Sequence, residues 1–472
     1  MGESRFCWHE FENDDDLIQF RANDGIPYWF YLRELLIGRI DSYLLGTKQR
    51  PRQAVNEILK ISSYVAHSVI LRHNWKLADS QIIFFVPGRY SVGIDGLSEN
   101  LLADYFADLY SDNCCVVERA PLNWAWQKQR KFQSVIDVSF DLAVAELLSK
   151  KKYSAVNSRL EPFIKYVAGR LPLYLPTKMM DEQLKKIVST MGIEFALAET
   201  VADVLITKIS TSVRIVFMVG GFRSRFSPLV KRLRDRGVRV AELQHGMFTQ
   251  GDCQYNVHER FRDDKRYKQI IPDDFLLYGD YWKTQCNLNT NKINIGSPYH
   301  DSKLQTKKTV SKTDILLIGC CHDTEKYLEF AKRLGSSLPE YRIVFRPHPN
   351  EFLPDLSSSN NTCVIDNSTN LYEAFAAAKL VLSEFSTVLF EAVGFVDYIA
   401  LWDTPYSRSR MSDRLFPDVV DVSDVIKLLQ LDTDLQNVEN YFWANNSKQR
   451  FDQYINGIYH NEVGKGLKVK KL

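Results

Sequence analysis

Arg214-Ile-Val-Phe-Met-Val219, closed by Gly220-Gly221, and Arg239-Val-Ala-Glu-Leu243 bracket a helix-spaced stretch from Ser227 to Arg236. Each apolar run is short, β-rich and nearly continuous, as expected of a strand buried on both faces. Strand-helix alternation of this kind indicates a parallel sheet covered by helices. The same alternation begins upstream. Ile82-Ile-Phe-Phe-Val86 ends in Pro87-Gly88, Leu97 to Tyr110 has helical spacing, and Cys114 to Val117 is another strand. The stretch 145–205 reads as helical.

Downstream of a Lys-rich connection at 302–312, a second set follows. Its strands are Ile315–Ile318, Arg342–Phe345, Cys363–Ile365, Leu380–Leu382 and Tyr398–Leu401. Helices near Glu325–Leu334, Leu371–Ala378 and Thr387–Val393 fit between them. Two doubly wound units imply a ligand cleft between domains. Residues 1–77 read as a helical N-terminal extension, with one helix opening at Pro27 and a second over Ala54–Leu71. Arg33 and Arg39 sit there among aromatics and leucines, which fits either a helical cap on a domain or contact with a membrane surface. The expected domains are 1–77 (extension), 78–295 (first Rossmann-like unit), 296–430 (second unit) and 431–472 (C-terminal helix and basic tail).

The 472 residues suit two or three domains, and 45% apolar with 25% charged residues is ordinary globular composition. Sixty Lys and Arg against 58 Asp and Glu leave a net charge of +2, too balanced for a protein that coats nucleic acid. The eight cysteines contain no C-x-x-C pair, which argues against a zinc ribbon. The N-terminus has no apolar signal region and no stretch is long enough to span a membrane, so a soluble cytosolic protein is expected.

Ligands of open parallel sheets bind at the carboxyl ends of the strands, so the loops there are informative. Phe345-Arg-Pro-His-Pro-Asn-Glu351 fixes His348 between two prolines and offers Arg346 as a planar cation for phosphate, or for a nearby carboxylate. Leu380-Val-Leu-Ser-Glu-Phe-Ser-Thr387 places Ser386 and Thr387 at a helix start, where hydroxyls and free N–H groups favour an anion. Glu391 lies one turn deeper and is within reach of a ribose. In Ile318-Gly-Cys-Cys-His-Asp-Thr324, Gly319 permits close backbone approach, and the loop reads mainly as a helix cap. In the first unit, Ala241-Glu-Leu-Gln-His-Gly246 presents His245 beside a glycine, with Gln244 placed to orient a general base. Asp95-Gly96, in a Gly-rich strand-to-helix loop, is a second carboxylate candidate or a turn; Glu99 is a weaker one on the helix that follows.

Gln244-His245-Gly246, Ile295-Gly-Ser-Pro298, Arg346-Pro-His-Pro349 and Ser386-Thr387 with Glu391, in this order, resemble the two-domain GT-B glycosyltransferases. More narrowly they resemble bacterial capsule and lipopolysaccharide transferases of the polysialyltransferase, capsular Kdo transferase and teichoic-acid polymerase groups. The resemblance spans about residues 80–405. It implies a nucleotide-sugar donor held at His348, Ser386 and Thr387. It also implies a base at His245, as in the polymerases, or at Asp95, as in the polysialyltransferases, although Ile94 stands before Asp95 where those enzymes have an acid. The implied donor is a CMP-activated acidic sugar such as Kdo or sialic acid, followed by UDP- or GDP-hexoses. The acceptor would be a capsule or O-antigen glycan, or its lipid-linked form.

A nucleotide-sugar 2-epimerase shares this fold, but epimerases usually carry a longer Gly-rich stretch where this chain has Ser386-Thr-Val-Leu-Phe-Glu391. An inactive assembly scaffold is the non-enzyme alternative. The clusters Asp14-Asp-Asp16, Asp263-Asp264 and Asp273-Asp274 read as solvated loops. Metal-independent chemistry without a further cofactor is therefore expected. Lys465, Lys468, Lys470 and Lys471 suggest weak peripheral contact with the inner face of the inner membrane, helped by the aromatic helix near Trp29.

Overall fold

The structure, a computed structural model, describes residues 6–44, 80–88, 90–92, 96–119, 130–175, 181–307, 310–320, 324–348, 351, 363–366, 368, 370–411, 413–431 and 439–463. The helix expected over Ala54–Leu71, Asp95 and the basic tail lie outside these residues.

The first sheet contains β1 (Ile82–Pro87), β2 (Cys114–Arg119), β3 (Val135–Asp137), β4 (Ile215–Met218), β5 (Arg239–Leu243), β6 (Asp274–Leu277) and β7 (Asn291–Asn294). Their spatial order is β3-β2-β1-β4-β5-β6-β7. The second contains β8 (Asp314–Ile318), β9 (Arg342–Arg346), β10 (Val364–Ile365), β11 (Ala378–Ser383), β12 (Tyr398–Trp402) and β13 (Asp418–Val419), in the order β10-β9-β8-β11-β12-β13. Neighbouring strands in both sheets run parallel. In each sheet the winding reverses once, between β1 and β4 and between β8 and β11. A crevice opens at such a switch point because the two connecting chains depart in opposite directions. This is the GT-B arrangement of two Rossmann-like units expected from the sequence.

The period of two explains why both faces are apolar. Ile82, Phe84 and Val86 pack with Phe106 and Phe451, whereas Ile83, Cys115, Val216 and Met218 pack with Leu205 and Leu229. The helices that matter below are α1 (Tyr28–Leu44), α2 (Ser139–Arg170), α3 (Met191–Ile206), α4 (Ser227–Asp235), α5 (Thr324–Ser337), α6 (Thr387–Glu391) and α7 (Ser447–Val463). The chain crosses between sheets and returns: α7 packs on the first sheet, with Phe451 stacked on Phe106 at 4.3 Å. At the crossing, Gly296 has φ +77°, and a Cβ there would fall 2.1 Å from the Ala444 carbonyl oxygen. Only glycine fits.

Four sequence expectations are corrected. The helix α1 does not face a membrane: Trp29, Phe30 and Tyr31 are buried, and so is Arg33. The Arg33 guanidinium is paired with buried Glu12 at 2.5 Å and donates to the Asn256 carbonyl at 3.0 Å, while Arg39 pairs with Glu194. Leu97–Tyr110 is not one helix; Ser98–Asn100 pairs antiparallel with Tyr90–Val92, and only Asp104–Ala107 forms an α-helical turn. Asp273-Asp274 is no solvated loop, because Asp274 opens β6 fully buried, ion-paired to Arg239 at 2.5 Å and hydrogen-bonded by Tyr454 at 2.7 Å. Of Asp14-Asp-Asp16 only Asp14 departs from the expectation, accepting from Tyr166 at 2.6 Å and pairing with Arg170 at 3.0 Å, while Asp15 and Asp16 are exposed. Among the described residues, no helix is long and apolar enough to cross a membrane.

Candidate functional site

At the second switch point the three expected loops come together, but their charges are spent on one another. Arg346 ends β9 and pairs with Asp366 at 2.5 Å; its Nη2 also donates to the Ser368 carbonyl at 3.0 Å. Burial pushes Asp366 up, yet bonds from Ser368 and Arg346 outweigh it and hold the carboxyl below its ordinary value. The guanidinium expected at a phosphate is therefore committed to a carboxylate. His348 is exposed beyond Pro347, and its backbone N–H donates to Glu351 Oε2 at 2.8 Å. Glu351 returns its own N–H to the His348 carbonyl at 2.8 Å and accepts from the Thr324 hydroxyl at 2.5 Å. A Cβ on Gly319 would fall 2.1 Å from Glu351 Oε2. The close approach that Gly319 was expected to give a ligand is taken by Glu351.

Ser386 Oγ accepts from the Val388 N–H at 3.2 Å and caps α6, as its position predicts. Glu391 is half-buried and accepts from the Tyr372 hydroxyl at 3.1 Å. One strong feature escaped the sequence reading. Glu384, two residues before the cap, is buried and accepts from the Thr404 hydroxyl at 2.5 Å and from the Cys320 thiol at 3.1 Å. A carboxylate directly after an apolar strand was the available signal.

At the first switch point, His245 follows β5 and sits half-buried. Behind it lies Glu242, fully buried, whose oxygens accept from the N–H groups of Gly220 at 2.7 Å and Gly221 at 2.5 Å. Glu242 Oε1 faces His245 Nδ1 at 3.9 Å. Burial pushes the Glu242 carboxyl up to about 8, although both amides favour its ionised form. A Cβ on Gly221 would sit 3.0 Å from Glu242 Oε2, so the Gly-Gly pair is the cradle of this carboxyl. The sequence reading took Glu242 for a strand residue; a lone acid inside an apolar strand was the signal.

Gln244 does not orient the imidazole: its Nε2 donates to the Gly246 carbonyl at 3.0 Å and its Oε1 accepts from the Tyr278 N–H at 2.8 Å, fixing the loop instead. Asp95 cannot be placed against these residues because it lies outside the described ones. Glu99 lies in the short hairpin, paired with Lys131 at 2.5 Å and hydrogen-bonded by Tyr105 at 2.9 Å.

The two sites touch. The Met247 N–H donates to Thr387 Oγ1 at 3.0 Å, and a Cβ on Gly246 would lie 3.3 Å from that oxygen. His245 also lines a cavity of about 390 Å³ within the first unit, with Pro87, Val219, Arg223 and Arg225.

No family model matches the sequence, and no curated protein does. Solved structures similar to the chain include a UDP-GlcNAc 2-epimerase of Methanocaldococcus jannaschii in complex with UDP-GlcNAc and UDP (12% identity over 80% of this chain and 99% of that one, TM-score 0.45). A wall teichoic acid polymerase aligns at 13% identity over 87% and 99% of the two chains, TM-score 0.44. The glycotransferase of kitacinnamycin aligns at 10% identity over 80% and 99%, TM-score 0.44. At these identities the likeness is one of overall arrangement, and no residue role is carried across.

Proposed function

We propose that the chain is an enzyme acting on nucleotide-activated sugars, and that it transfers the sugar to a growing bacterial capsule or lipopolysaccharide O-antigen glycan. The observation that carries this reading is the Met247 to Thr387 hydrogen bond. It sets the His245-Gly246 strand end of one unit against the Ser386-Thr387 helix start of the other, which we read as a base and an anion seat sharing one cleft. In this reading the donor phosphate sits at Ser386 and Thr387, with His348 beside it and the ribose toward Glu391. His245 takes the proton of the acceptor hydroxyl as that oxygen bonds to the anomeric carbon. The anomeric bond to the phosphate oxygen breaks, and the nucleotide departs with the electron pair. Glu242 Oε1 lies 3.9 Å from Nδ1, and Nε2 is the nitrogen that we assign as proton acceptor.

The donor we favour is CMP-activated Kdo or sialic acid, ahead of UDP- or GDP-hexoses. Thermal shifts with CMP, UMP, UDP, GMP and GDP test the nucleotide. Stabilisation only by nucleotides other than CMP removes the first choice, and stabilisation by none of them favours the scaffold alternative. Product analysis without an acceptor separates transfer from epimerisation, since a donor converted to its 2-epimer assigns the latter. Asp95 replaces His245 as base if Asp95→Ala abolishes turnover and His245→Ala does not.

The proposal extends to a cytoplasmic enzyme held weakly at the inner membrane by Lys465, Lys468, Lys470 and Lys471, at about 1 kcal/mol each. Sedimentation with anionic vesicles at low salt should be lost at high salt and on deleting residues 464–472.

A further inference from the structure

The cavity beside His245 has a distribution of polarity that the transfer reaction alone does not require. Its walls are apolar: Phe85 and Val86 of β1, Val138 and Leu142 at the start of α2, Val201 of α3 and Phe226 before α4. Arg223 and Arg225 also line it, and both residues are exposed. Neither guanidinium is hydrogen-bonded or salt-bridged to a described residue, although the Arg223 charge acts on buried Glu242 and favours its ionised form. Glu194, on the same wall, is taken by Arg39. Glu146 is exposed. Gly220, at φ +85°, lies against the Arg223 stem, where a Cβ would be 3.3 Å from Cδ. The apolar part of Arg223 is thus packed while its head remains open. Two exposed guanidiniums two residues apart, neither in a salt bridge, match the doubly charged face of a phosphate, which each can bind through paired N–H groups. The volume, about 390 Å³, is that of a small-molecule site rather than a packing defect.

We propose that this cavity binds the end of the acceptor, and that this end is a phosphate carried on an aliphatic chain, with the chain inside the cavity and the phosphate on Arg223 and Arg225. The inference rests on the transfer reading for its word "acceptor", but the site itself does not depend on it. A cavity of this volume takes a single chain, so the ligand enters as one molecule rather than as a lipid surface.

Calorimetric titration of the full chain with octyl phosphate, octyl glucoside and inorganic phosphate, each below any micelle concentration, tests it. Octyl phosphate should bind at least ten-fold more tightly than either of the others. Arg223→Ala/Arg225→Ala should weaken octyl phosphate at least ten-fold and leave octyl glucoside unchanged. Ala198→Phe, which fills the cavity from α3, should abolish octyl phosphate binding while leaving the thermal shift with nucleotide intact. Inorganic phosphate binding as tightly as octyl phosphate would overturn the proposal, as would an unaffected double variant or binding that survives Ala198→Phe. If octyl phosphate binds as expected but no nucleotide sugar is consumed, the site stands and the transfer reading falls.

Discussion

Cations stand at the ends of strands in both sheets, and the two sets are in opposite states. In the second unit Arg346 is paired with Asp366, and the loop around His348 and Gly319 closes on Glu351. In the first unit Arg223 and Arg225 form no hydrogen bond or salt bridge among the described residues; Glu242 feels the Arg223 charge but is held by the Gly220-Gly221 amides. A cation in a motif is available to a ligand only if the fold has not already neutralised it. The loops of the second unit are shaped by their own charges, while those of the first are held by backbone amides that leave the guanidiniums open.

The sharpest test of that contrast concerns the base. His245→Ala should lower turnover by about 10² to 10⁴-fold, the usual size of general base catalysis, with nucleotide affinity nearly unchanged. Equal losses in turnover and nucleotide affinity would place His245 in the donor site and dissolve the division of labour.

Arg346→Ala should destabilise the fold by about 1–3 kcal/mol, because it strands the carboxylate of Asp366. Arg223→Ala should change stability by no more than about 0.5 kcal/mol. Urea unfolding of both variants decides, and similar values for the two would break the comparison.

Glu242 brings a pH signature of its own. Its folded pKa, about 8, lies above the ordinary 4.5, so the folded protein binds the proton more tightly than the unfolded chain. The stabilisation is full below about pH 4.5 and is lost as pH rises toward 8. Unfolding midpoints measured across that window should fall with a contribution that Glu242→Gln removes. An unchanged slope in the variant would mean that another group carries it.

A modest effect is expected at the contact between units. Thr387→Val removes the acceptor of the Met247 N–H and should cost about 1 kcal/mol, read in the same unfolding series.

Much of this fold was legible because central parallel strands are continuous apolar runs: Arg239–Leu243 and Tyr398–Leu401 lie where the hydrophobicity puts them. Three other strands were not. Val135–Asp137 and Asn291–Asn294 have three and four residues and little apolar character, and Asp274–Leu277 begins with an acid whose partner, Arg239, is distant in sequence. Of the site, the positions of Ser386 and His245 follow from local chemistry, namely an N-cap and a strand end before glycine. The states of Arg346 and Gly319 do not, since Asp366 and Glu351 reach them from other loops. Glu242 was invisible for the opposite reason, because a carboxyl inside a strand looks like a mistake until its two amide donors are seen.

The most direct measurement is the release of nucleotide from a panel of CMP-, UDP- and GDP-sugars by the purified protein, with and without capsule or O-antigen oligosaccharide, alongside His245→Ala. Release of one nucleotide, matched by gain of one sugar on the oligosaccharide and lost in the variant, is expected. Donor consumed at the same rate by His245→Ala, or converted to its epimer with no acceptor present, would contradict a transferase whose base stands at the end of β5.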